Sequence, residues 1–101
     1  MILETAALDI RPGQSSAFER SFSEARPLIA QTPGYRGCEL RRCLEKTDRY
    51  LLLVWWDTLE SQTEGFRGSA RYEEWRHLFL AYYDPFPYAE HYALVARDSP
   101  G

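Results

Sequence analysis

Cysteine and histidine are scarce in this chain of 101 residues, with two of each, and there is one methionine. Cys38 and Cys43 stand five positions apart, which on a single strand points them to opposite faces, so they do not bridge each other. His77 and His91 fall in unrelated segments, and the four residues together do not make a metal site. Two free thiols fit a reducing compartment. Basic clusters are missing beyond Arg41-Arg42 and the net charge is −3, so there is no footprint for a phosphate backbone and nucleic acid is not expected as a partner. No apolar run approaches the ~20 residues that would span a membrane, and Met1-Ile2-Leu3-Glu4 carries no basic stretch ahead of a long apolar core. The expected location is therefore the cytoplasm, without membrane association. There is no Gly-rich phosphate loop, serine elbow, nucleotide fingerprint, repeat or low-complexity segment.

Aromatics, by contrast, are plentiful: seven tyrosines, five phenylalanines and three tryptophans within an apolar content of 45%. That composition belongs to a globular fold and excludes disorder. It leaves open whether the rings only pack a core or also wall a pocket.

The chain is organised around Arg49 to Trp75. Its strand is apolar on both faces, with Leu51, Leu53 and Trp55 on one and Tyr50, Leu52, Val54 and Trp56 on the other, so both sides of the sheet must leave water. Ahead of it, Ile2 to Ile10 reads as a strand closed by Arg11-Pro12-Gly13. Phe18, Phe22, Ala25 and Ile29 mark one stripe of a helix, with Ser15 or Ser16 as N-cap, Pro27 as a kink or break, and Thr32-Pro33-Gly34 as the stop. Arg36 to Leu44 forms the second strand, with Cys38, Leu40 and Arg42 on one face, followed by a long loop over Glu45-Lys46-Thr47-Asp48. After Trp56, Asp57 and Glu60 fit a capping box for a short helix that Gly65 ends. Ser69 caps a further helix carrying Tyr72, Trp75, Leu78, Phe79, Tyr82 and Tyr83, closed by Pro85 and Pro87. A last strand is expected over Tyr88 to Val95.

This order, βαββαβ, predicts an α+β, ferredoxin-like antiparallel sheet with both helices on one face, as a single domain over residues 1–96 with a tail at 97–101. The two helices cover one side of the sheet. The other side, with its share of the central strand's apolar residues, calls for a second copy, and a homodimer is expected.

Trp56-Asp57-Thr58-Leu59-Glu60, Gly65-Phe66-Arg67-Gly68-Ser69, Tyr72-Glu73-Glu74-Trp75-Arg76 and Glu90-His91-Tyr92 resemble the antibiotic biosynthesis monooxygenase domain family. The resemblance spans nearly the whole chain and implies a dimeric α/β barrel with a cavity between sheet and helices. It further implies a cofactor-independent monooxygenase acting on a small aromatic or quinol-type substrate, with no cofactor and no metal. The alternative is a non-catalytic ligand-binding or stress-related homodimer. The haem-degrading branch is a poorer match, since the places of its Asn, Trp and His are taken here by Ala6, Phe66 and Arg76. Gln62 stands where related chains often carry a His, and an amide is no proton acceptor.

Oxygenation without a cofactor requires an aromatic that can be deprotonated to an electron-rich anion, inside an apolar pocket with a donor for that anion. Trp56, Phe66, Tyr72 and Trp75 are the candidate substrate-binding walls, against the ordinary reading that they pack on the sheet. Arg67 and His91 are the candidate catalytic residues, Arg67 as partner of the phenolate. The competing roles are a helix-start contact for Arg67 and a place in the dimer interface for His91. His77 falls toward the polar side of its helix and reads as a surface residue. Glu4 shares a strand face with Ile2, Ala6 and Leu8; near the strand's start it is expected to be solvated, whereas on a face lining the cavity it would be a base.

Overall fold

The computed structural model of the chain describes residues 1–99 and contains four strands and two α-helices: β1 (Ile2–Asp9), α1 (Ser15–Ala30), β2 (Tyr35–Arg42), β3 (Arg49–Trp56), α2 (Ala70–Phe79) and β4 (Glu90–Ala93), with a π-helical turn over Ser61–Phe66 between β3 and α2. The strands form one antiparallel sheet in the order β2-β3-β1-β4, which is the ferredoxin-like arrangement that the order of elements predicts. Period-two alternation assigns the faces. Ala6, Leu8, Tyr50, Leu52, Val54 and Trp56 point to the helices and are buried against Phe18, Phe22, Ala25 and Ile29 of α1 and Trp75 and Phe79 of α2. Phe18 is the hub of the core, with Phe79 edge-on at 5.7 Å and Tyr50 at 5.1 Å between ring centroids. Cys38 and Leu40 face the same side, opposite Val54 and Leu52, as the alternation predicts.

Several local expectations change. Neither Ser15 nor Ser16 caps α1: Gln14 holds the N-cap position without a side-chain bond, and Ser15 Oγ donates to Asp48 across the sheet's end. The helix continues through Pro27 to Ala30. Asp57 is not a capping residue either; it accepts two hydrogen bonds from the Arg36 guanidinium, at 2.6 and 2.8 Å, while Thr58 Oγ1 accepts from the Ser61 N–H. Gly65 lies within the π-helical turn, which closes with the Arg67 N–H donating to the Gln62 carbonyl, 2.9 Å away. Ser69 caps α2 as expected, its Oγ accepting from the Tyr72 N–H.

That helix stops at Phe79, because the end of β1 takes over the following backbone. Arg11 N donates to Tyr82 O, Asp84 N donates to Asp9 O, and Ile10 bridges Tyr83. β4 is only four residues long instead of the eight expected, since it pairs with Ile2 to Thr5 and no further. The last two residues of the expected tail, Pro100 and Gly101, lie outside the described residues. The sheet's second face carries Leu3, Thr5, Leu51, Leu53, Trp55 and Tyr92, and no described element covers it. No described helix is long and apolar enough to cross a membrane.

Candidate functional site

A cavity of about 80 Å³ lies between the helix-facing side of β1 and β3 and the segment from the π-helical turn through α2 to Ala89. Its walls are Ala6, Leu8, Leu52, Phe66, Tyr72, Trp75 and Tyr83, with Phe66 perpendicular to both Tyr72 and Trp75. The exposed side chains of Arg67, Arg76, Phe86 and Tyr88 make its rim.

The cavity's carboxyl is Glu4, only 9% exposed and therefore not the solvated residue expected from its place near the start of β1. Two neighbouring strands account for the difference. β3 places Trp56 where its Nε1–H donates to Glu4 Oε1 at 2.9 Å, and β4 sets His91 directly opposite Glu4 in the sheet. Burial raises the Glu4 pKa above the usual carboxylate value; the Trp56 hydrogen bond and the nearby charges of His91 and Arg67 pull it back only in part. A carboxyl held in this way takes up a proton more readily than a surface glutamate.

His91 is half-buried, and its Nε2 lies 2.7 Å from Oε1 of Gln62, itself 1% exposed. The amide oxygen can only accept, so Nε2–H is the donor of this contact. Gln62 is thus not the proton acceptor that a histidine would be there; it orients the imidazole beside Glu4. Tyr83 also lines the cavity, and burial together with Tyr72 pushes its phenol pKa up, which keeps it a neutral donor.

Of the residues singled out from the sequence, Phe66, Tyr72, Trp75 and Arg67 meet on this cavity. Trp56 does not: it is 0% exposed, stands behind Glu4 and stacks on Phe66 at 6.2 Å, so it orients the carboxyl and offers no surface to a ligand. His91 lies beside the cavity and not on its wall, connected to it through Gln62. His77 is exposed on α2. Among the described residues no group of three or more His, Cys, Asp or Glu side chains could hold a metal ion.

The family profile described as antibiotic biosynthesis monooxygenase matches residues 1–78, the part of the chain that builds the sheet's first three strands and most of the cavity. The chain belongs to the antibiotic biosynthesis monooxygenase family. Among relatives, it is similar to the uncharacterized protein YczJ of Bacillus subtilis (strain 168), 48% identical over 95 residues that cover 94% of this chain and all of that one. Among solved structures, a Bordetella bronchiseptica protein assigned by name to the same family superposes with a TM-score of 0.86 at 35% identity, covering 94% and 97% of the two chains. SnoaB, a cofactor-independent oxygenase from Streptomyces nogalater, shares the fold with a TM-score of 0.75 at 17% identity, covering 97% and 94%.

Ala6, Phe66 and Arg76 all line this one cavity. Glu4 is the ionisable group that takes the central place.

Proposed function

We propose that the chain is one subunit of a homodimeric, cofactor-independent oxygenase that takes a small phenolic or quinol-type aromatic against Glu4. One arrangement carries the reading: a buried carboxyl of raised pKa at an aromatic-walled cavity, held by an indole N–H and flanked by His91 and Arg67. Burial makes Glu4 a stronger base toward a phenol than a solvated carboxylate, and it keeps water away from the anion that results. The charge of Arg67, at the rim and close enough to act on Glu4, favours the phenolate through space and not by contact. In the overall conversion, phenol and O2 give quinone and water: one oxygen atom enters the ring, the other leaves as water, and the electrons for reducing O2 come from the arene. The proton passed to Glu4 is returned to that departing oxygen.

At about 80 Å³ the cavity is smaller than the roughly 150 Å³ that accommodates benzene, so a ring enters only as the half-exposed Phe86 and the exposed Tyr88 swing outward. The homodimer is supported by the uncovered sheet face, where Leu3, Leu53, Trp55 and Tyr92 present apolar surface that a second copy would remove from water.

The test is oxygen consumption by chelator-treated protein with a panel of hydroquinones and phenols, corrected for autoxidation in protein-free blanks. Saturable consumption that Glu4→Gln lowers by ~100-fold or more is the expected result. Calorimetric binding of the same compounds with no consumption would replace the oxygenase with a ligand-binding dimer.

A further inference from the structure

Building on the reading of this cavity as an aromatic-ligand site, we infer that its ligand carries a ring carboxylate, gripped at the rim by Arg76 and Arg67 while the phenol end points to Glu4. The charge distribution is the first reason. The chain as a whole has more acidic than basic residues, fifteen against twelve, yet the cavity lining holds two guanidiniums and one carboxyl, and that carboxyl is buried. A cationic rim on an acidic protein concentrates anions at that one opening.

The second reason is that these two guanidiniums are unspent. Arg11, Arg36, Arg41, Arg42 and Arg49 each pair with a carboxylate elsewhere, and Arg71 donates to Leu28 O and Thr32 Oγ1. Arg67 and Arg76 have no ion pair and no side-chain hydrogen bond among the described residues; Arg20, Arg26 and Arg97 are likewise unpaired, but of these five only Arg67 and Arg76 line the cavity. Arg76 instead lies over the Phe86 ring, 5.9 Å from its centroid, a contact that leaves its N–H edge unoccupied. A planar guanidinium matches a carboxylate with two parallel hydrogen bonds, which Lys could not do.

Orientation follows from sign. Glu4 would repel a carboxylate pushed inward, so the anionic group stays outside and the hydroxyl goes in. The predicted ligand class is thus a hydroxylated aromatic acid, and a neutral phenol of the same size is the poorer ligand.

Isothermal titration with hydroquinone and with 2,5-dihydroxybenzoate, the same ring plus a carboxylate, tests this without any turnover. At low ionic strength the acid is expected to bind ~10-fold tighter, and added salt should shrink the advantage. Arg76→Gln should remove most of the preference while leaving hydroquinone affinity unchanged, and Arg76→Gln/Arg67→Gln should abolish it; both positions are exposed, and circular dichroism verifies the fold. Equal affinities in the parent protein, or a preference that survives the double substitution, overturns the anion subsite while the aromatic site stands. If neither compound binds, both readings fall together.

Discussion

Glu4 is the one carboxyl on the cavity wall, and its pH behaviour is testable apart from any substrate. Its folded-state pKa is raised by burial above the unfolded value, so the stability it contributes is fully present below the unfolded carboxylate pKa and is lost as pH rises through the folded one. Glu4→Gln keeps an oxygen for the Trp56 N–H and carries no charge. It should therefore melt higher than the parent at about pH 8 and lose that gain at about pH 4, where the parent carboxyl is already protonated. A difference in melting temperature that ignores pH would show that the carboxyl is solvated after all. From the sequence, the sign of a special role was a lone carboxylate in the stripe Ile2, Ala6, Leu8. Distance from the strand's end argued for solvation, but burial here is set by Trp56, fifty-two positions away, and by β4.

Among the elements, the π-helical turn does the positioning, and it is tied to the start of β2 at one point. Gly34 has φ of +90°, and a Cβ there would fall 2.8 Å from the Ser61 Cβ and 2.3 Å from its Oγ, while its carbonyl accepts from the Asp57 N–H. Only glycine meets both demands. Gly34→Ala should cost about 1–3 kcal/mol from backbone strain, with the clash added, and should loosen Gln62, the next residue along. Ser61→Gly in the same chain removes the clash and should recover part of the loss in chemical denaturation; no recovery would place the whole cost in φ. The Thr32-Pro33-Gly34 stop was legible as a turn. Its contact with the π-helical turn was not, because local signals say where a chain bends and not what the bend touches. The same limit explains the cap at Thr58 in place of Asp57, whose carboxylate Arg36 takes.

At the level of the whole molecule, the proposed homodimer rests on the sheet's uncovered face. Sedimentation should give about twice the 11.8 kDa chain mass. Trp55→Glu, which puts a charge on a central strand of that face without touching the helix side, should shift the protein to monomer at micromolar concentration. A parent that sediments as a monomer would overturn the homodimer.

What the sequence determined by itself was the order of elements and the two-faced apolar pattern of β3; for Phe66, Tyr72 and Trp75 it left core packing and cavity wall both open. That order and that pattern follow from periodicity and turn chemistry, which act within a few residues along the chain. Only the tertiary structure decided that Glu4 is buried, that Trp56 serves the carboxyl and not a ligand, that Gln62 holds His91, and that α2 ends at Phe79. Each of these depends on which strand lies beside which, and the desolvation and hydrogen bonding that follow come from neighbours far away in the chain.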